Sequence, residues 1–192
     1  PNSQNVVFKG GTAIHLIFMA PRFSEDLDFT VTMDPQDFEI LIQRVFASLK
    51  NEGFTFKLRP TPAGKRFLLT HTLVNSKYTT FINLDFSFRE KVFQPQNSIV
   101  KTDLPVLFSS LITHMSKDEI YAEKIRAILN RQKGRDLYDV WYLLTQNAKL
   151  DVAMVQAKLD YYQMKYNKDD VLKKINLFDK KEFVQDLRPF VT

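Results

Sequence analysis

Arg22-Phe-Ser-Glu-Asp-Leu-Asp-Phe-Thr-Val31 sets three carboxylates, Glu25, Asp26 and Asp28, at the mouth of an apolar strand. From Asp26 the run alternates with period two, so Leu27, Phe29 and Val31 face one side of a sheet while Asp26, Asp28 and Thr30 face the other. Glu25 points away from that pair and reads as a solvated flank. Aspartates two residues apart on a strand stand about 7 Å from Cα to Cα. Like charges at that separation repel by roughly 0.6 kcal/mol in water and several-fold more in a cleft. A divalent cation reverses the sign. Mg2+ (or Mn2+) takes carboxylate and phosphate oxygens, which makes Asp26 and Asp28 candidate ligands for a metal–nucleotide complex. The plainer alternative is a strand start whose charges sit in water.

The neighbours of this strand weigh toward the metal. Upstream, Val6-Val-Phe8 reads as a short buried strand, broken by Gly10-Gly11 and followed by a helix from Thr12 to about Met19, which Pro21 stops. Gly10 and Gly11 let amide N–H groups approach phosphate oxygens, and Thr12 adds a hydroxyl. Downstream, Phe38, Leu41, Ile42, Val45, Phe46 and Leu49 recur at helical spacing after Asp34-Pro35, with Gly53 as the stop. Strand candidates then cover Phe54 to Arg59, Arg66 to Leu73 and Thr80 to Phe88, separated by Pro60, Pro62, Gly64 and Asn75-Ser76. On the last of these, Asp85 shares a face with Phe81, Asn83 and Ser87. It is a candidate third carboxylate, suited to activating a hydroxyl that attacks the α-phosphate of a bound triphosphate.

Beyond Pro105 the period changes to 3.6 and no further strand is expected. Ser116-Lys-Asp-Glu119 has the form of a capping box opening a helix to about Gln132. Gly134 breaks it, and Arg135 to about Gln146 forms the next; three more cover Val152 to Tyr166, Lys168 to Ile175 and Lys180 to Asp186. The fold class is therefore α+β, a mixed sheet over 1–103 followed by a helical part over 104–192. Lys124 falls inside the apolar arc of its helix, either to snorkel outward or to reach a phosphate in the cleft. Asp136 lies between core-facing positions, although a first-turn aspartate is also favoured by the helix dipole. Asp139 stands four residues after Arg135 and reads as its surface partner. Trp141, Tyr142 and Tyr138 read as packing residues, and Lys173-Lys174 and Lys180-Lys181 as solvated faces.

Composition bounds the rest. The 192 residues are 44% hydrophobic, enough for one core. There are 27 Lys and Arg against 22 Asp and Glu, a mild bias toward anionic partners. Cysteine is absent, which excludes disulfides and thiolate metal sites, and His15, His71 and His114 form no ligand pair. Without a signal peptide or a long apolar run the protein is expected to be soluble and cytoplasmic, with no membrane partner. The chain opens at Pro1, close to its first strand, so an upstream helix is expected to be missing.

Phe8-Lys-Gly-Gly-Thr-Ala-Ile14, Arg22 to Phe29, Ala122-Glu-Lys-Ile-Arg126 and Lys133-Gly-Arg-Asp-Leu-Tyr-Asp139 together, in this order, closely resemble the AbiEii family of nucleotidyltransferase-like toxins. The resemblance spans about residues 6 to 146. It implies a DNA polymerase β-like nucleotidyltransferase core completed by a helical C-terminal part, acting in toxin–antitoxin or phage-defence systems with a separate cognate antitoxin. It implies an NTP as substrate and RNA, above all tRNA, as acceptor. Carried over by motif, Gly10, Gly11 and Ser24 belong to the nucleotide-binding turn, Asp26 and Asp28 to the metal site, Lys124 to phosphate binding, and Asp136 to a base or positioning role. Asp85 matches the third carboxylate of the wider polymerase β superfamily. A non-catalytic nucleotide- or partner-binding module on the same fold is the alternative; a polycationic small-molecule acceptor suits the basic charge less well.

Overall fold

The computed structural model describes residues 3–61, 64–72, 78–100 and 111–191. Among them, after a 3-10 turn at Ser3–Asn5, run strand β1 (Val6–Lys9), helix α1 (Gly10–Phe18), β2 (Asp26–Val31), α2 (Pro35–Asn51), β3 (Phe54–Thr61), β4 (Gly64–Thr72), β5 (Thr79–Ser87), β6 (Pro95–Ile99) and β7 (Leu111–Met115). The helices α3 (Lys117–Asn130), α4 (Gly134–Thr145), α5 (Val152–Asp160), α6 (Lys168–Asn176) and α7 (Lys180–Leu187) follow. The strands form one mixed sheet in the order β3-β4-β5-β2-β1-β7-β6. Strand β2 runs antiparallel to β1 and parallel to β5, and β7 runs parallel to β1.

Local chemistry explains most boundaries. Asp34 caps α2 by accepting from the Gln36 N–H, Pro35 fills the first helical position, and Gly53 ends the helix at φ +88°. Ser116 caps α3 by accepting from the Glu119 N–H at 3.1 Å. The capping box is only half formed, because the Glu119 carboxylate turns instead to the N–H groups of Phe93 and Gln94.

Two apolar clusters hold the sheet. Phe38, Ile42 and Phe46 of α2 pack on Phe67, Leu84 and Phe86 of β4 and β5. The larger cluster joins Val7 and Phe8 of β1 to α1 and to α3–α6, so the sheet and the later helices share a core. Phe29 bridges the two: its ring lies 5.3 Å from that of Phe8 and 5.2 Å from that of Phe86.

Strand β7 departs from the expectation that no strand follows Pro105, and β6 is not among the strand candidates. The segment Pro-Gln-Asn-Ser-Ile of β6 is a polar edge strand with one neighbour, and β7 is only five residues long. Such short pieces carry too few alternating positions to stand out beside helical periodicity. Helix α5 also ends at Asp160 rather than near Tyr166, and Gln163 takes φ +53°. Trp141 is 54% exposed and so is no core residue, whereas Tyr142 is buried and donates to the Phe18 carbonyl at 2.6 Å. Pro1, Pro62, Leu73, Asn75-Ser76 and the boundary at 103/104 lie outside the described residues. Among the described residues, no helix is long and apolar enough to cross a membrane.

Candidate active site

Strand pairing assembles the acidic face. Lys9 stands opposite Asp28, Asp28 opposite Asp85, and Asp85 opposite Arg66, and residues directly opposite in a ladder project to the same side. A charged row thus crosses β1, β2, β5 and β4. One layer along, Asp26 stands opposite Asn83, whose amide donates to it at 2.9 Å. Asp26, Asp28 and Asp85 therefore share one face, while Phe86 and Leu84 on the reverse of β5 pack beneath α2. Asp85 accepts from Arg66 Nε at 2.6 Å.

The glycine pair makes room for this face. Gly10 adopts φ +78°, and a Cβ there would overlap the Asp28 carboxylate. A Cβ on Gly11 would fall 2.6 Å from Arg22 Nη2 and 2.8 Å from Ser24 Oγ. Thr12 is buried, and its hydroxyl donates to the Asp26 carbonyl, bracing β2. Gly10, Asp28, Asp85 and Lys124 line a cleft of about 440 Å³ together with the cations Lys9, Arg66, Arg89, Arg126 and Arg131. Gly11, Thr12, Ser24, Asp26 and Asp136 are not among the residues that line it. Burial pushes the Asp28 carboxyl up to about 6, with Asp85 and Asp26 adding to the rise and Lys9 and Lys124 opposing it.

Along the cleft wall an ion chain, buried except at Arg131, ties α3 and α4 to Arg22 just before β2. Arg22 grips Asp139 through Nε at 2.5 Å and Nη2 at 2.6 Å. Asp139 also contacts Lys124 at 2.7 Å, Lys124 contacts Asp136 at 3.0 Å, and Arg131 closes on Asp136 at 2.7 and 3.1 Å. Burial opposes charge on both Lys124 and Asp136, yet each is held charged by its partners: Lys124 above its usual pKa by Asp139 and Asp136, and Asp136 below the carboxylate range by Lys124 and Arg131. Asp139, expected on the surface beside Arg135, is fully buried. The Arg135 guanidinium lies over the Phe190 ring instead.

A family model described as nucleotidyl transferase AbiEii toxin of type IV toxin–antitoxin systems matches residues 1–189. The chain belongs to the AbiEii family. No curated protein matches it by sequence. Among solved structures it is similar to MenT4, a nucleotidyltransferase toxin from Mycobacterium tuberculosis H37Rv, at 20% identity and TM-score 0.64, covering 93% of this chain and 65% of that one. JHP933 from Helicobacter pylori is similar at 19% identity and TM-score 0.58, covering 97% and 83%. The chain thus spans about 65% of the length of MenT4. The shared nucleotidyltransferase fold follows from these likenesses.

For this AbiEii chain, Asp26 and Asp28 offer two hard oxygen donors of the kind Mg2+ takes together with substrate phosphates. Among the described residues no group of three or more Asp, Glu or His side chains forms a ready-made metal cage. A second ion network escaped the sequence reading. Lys9 lies 3.1 Å from Glu90 and 3.8 Å from Glu123; Lys158 contacts Glu119 at 2.6 Å and Glu123 at 3.2 Å. Burial opposes ionisation of Glu123, but Lys9, Arg126 and Lys158 pull its pKa below the usual range. Arg22 and Lys9 sit inside quoted motifs, so the motifs marked them. Glu123 likewise lies in the Ala122–Arg126 motif and Glu119 in the capping box, whereas Lys158 had only its place on an otherwise apolar helix face as a signal.

Proposed function

We propose that the chain is an Mg2+-dependent nucleotidyltransferase of a toxin–antitoxin or phage-defence system, moving a nucleotide from an NTP to RNA, with tRNA as the acceptor. The observation that carries this reading is the convergence of Asp26, Asp28 and Asp85 on one face beside Gly10 at the start of α1. Asp26 and Asp28 would hold Mg2+ or Mn2+, which when bound neutralises triphosphate charge and helps align the reacting oxygens. The N–H groups of Gly10 and Gly11 receive phosphate oxygens at the helix N-terminus. Lys124, kept cationic by its two aspartates, supplies a further charge at the cleft wall. Asp136 is a positioning residue: two cations occupy its carboxylate, and a pKa held low makes it a poor base.

The acceptor hydroxyl oxygen bonds to the α-phosphorus, the bond from that phosphorus to the bridging oxygen breaks, and pyrophosphate leaves with the electron pair. The hydroxyl proton passes to Asp85, whose Oδ1 is held by Arg66. A separate antitoxin protein and a cytoplasmic setting complete the reading.

The reading of a non-catalytic module draws on one observation: Arg66 and Asn83 already occupy Asp85 and Asp26. Incubation with each labelled NTP and total tRNA separates the two. Label is expected on RNA and is expected to vanish in Asp26→Asn. Absence of transfer from any NTP to any RNA or protein would sink the catalytic reading, and NTP binding without transfer would favour the module.

A further inference from the structure

The sheet continues past the acidic row onto β4 and β3, and there its carboxylate face stays open. Arg59 on β3 stands directly opposite Arg66 on β4, so the row runs Arg59, Arg66, Asp85, Asp28. The next row is Lys57, Leu68, Asn83, Asp26. Lys57 and Arg59 are exposed, and neither has a carboxylate partner among the described residues. Phe81, opposite Thr70 in the third row, is 71% exposed.

Edge strands carry Lys and Pro to discourage pairing with other chains, and that accounts for cations somewhere on β3. It does not account for two arginines directly opposite each other, which repel. Nor does it explain why β3 cations stand in register with the carboxylates while a large aromatic on the same face, two strands away on β5, stays in water. The reverse face of the same strands is apolar and covered by α2, so the contrast between the two faces is not a matter of an unfinished core. Cations and an exposed ring spread over one sheet face form the pattern that binds single-stranded nucleic acid, charges to phosphates and ring to base.

We propose that the open face of β3–β5 is the track on which the single-stranded end of the RNA acceptor lies, with Lys57 and Arg59 on its phosphates and Phe81 against a base. This rests on the nucleotidyltransferase reading above and assigns the acceptor's path within it. From β3 to β2 the face spans three strand spacings, about 14 Å, so the terminal hydroxyl reaches Asp85 and Asp28 while upstream phosphates remain on β3. Arg66 sits between the two groups and is tied to Asp85, so it links the track to the carboxylates.

The test is fluorescence anisotropy with labelled total tRNA, alongside NTP binding to the same proteins. Lys57→Ala/Arg59→Ala is expected to weaken RNA binding about tenfold. It should also flatten the log–log salt dependence by roughly 1.4, two contacts at about 0.7 each for a single strand. Phe81→Ala is expected to weaken RNA binding several-fold with the salt slope unchanged. NTP affinity and melting temperature should hold in both, since these side chains are exposed. Arg59→Glu should weaken RNA binding further. Unchanged RNA affinity and slope in the double variant overturn the track while leaving the transferase reading intact. Wild-type protein that binds no RNA overturns the RNA-acceptor reading itself.

Discussion

The molecule handles carboxylates in two opposite ways. On the sheet, Asp26, Asp28 and Asp85 stand together on one face with few cations committed to them, and burial lifts Asp28 to about 6. In the helical part, Asp136 and Asp139 are wrapped by Arg22, Lys124 and Arg131, and Asp136 is held below the ordinary range. In the first group only Asp85 has a cation in direct contact among the described residues, Arg66; the second group's charge is neutralised within the fold. Carboxylates whose environments push them in opposite directions mark a division of labour. In the proposed reading the division runs between binding chemistry on the sheet and the bracing of the wall that faces it.

The largest effect should come from the bracing side. Asp139→Asn removes the charge shared by Arg22 and Lys124, leaving buried cations short of a partner. Urea unfolding should register a loss of about 3–5 kcal/mol. A change under 1 kcal/mol would mean that the ion chain contributes little.

Asp28→Asn should behave in the opposite sense. Transfer activity should fall on the order of a hundred-fold to a thousand-fold, about 3–4 kcal/mol, while the metal-free protein melts no lower than wild type at pH 7. A stability loss like that of Asp139→Asn would erase the contrast between the regions.

Gly10→Ala meets both the positive φ and the Asp28 carboxylate. It is expected to cost about 1–3 kcal/mol and to impair transfer more than Gly11→Ala does. Circular-dichroism melts and labelled-NTP assays read the two effects separately.

The smallest effects lie in pH dependence, and their signs differ. Asp28 has a raised folded pKa, so in metal-free protein it favours folding most below about pH 4 and loses that contribution as pH rises through about 6. Asp136 has a lowered one, so its contribution is present above about pH 4 and is lost as pH falls further. In the proposed reading, metal affinity should weaken as pH falls below about 6, because a proton competes with the cation for Asp28. Comparing pH–stability curves of Asp28→Asn and Asp136→Asn with wild type checks both signs; slopes of the same sign would remove the distinction.

Much of this contrast was legible in the order of residues. Period-two alternation put Asp26 and Asp28 on one face of a strand and Asp85 inside another. Lys124 and Asp136 stood out because each broke an apolar helical stripe, and both joined the ion chain. Asp139 was misread because Arg135 four residues earlier is the nearest cation along the helix, whereas its partner Arg22 is 117 positions away. The Gly-Gly pair was noticed as a phosphate turn. Its steric role against Asp28, Arg22 and Ser24 required those side chains to be brought beside it. Strand β7 was missed because five residues next to a long helix leave almost no periodic signal.

By itself, then, the sequence determined the α+β class, the two faces of the Asp26–Val31 and Thr79–Ser87 strands, the glycine break, and the family motifs. These depend on chain geometry within a few residues, where side-chain direction repeats every two residues in a strand and every 3.6 in a helix. Only the tertiary structure decided that Asp28 lies between Lys9 and Asp85, that Arg22 holds Asp139, and that Arg59 faces Arg66. Strand register and the partner of a buried charge are set by long-range packing, which selects among many pairings that are equally allowed locally.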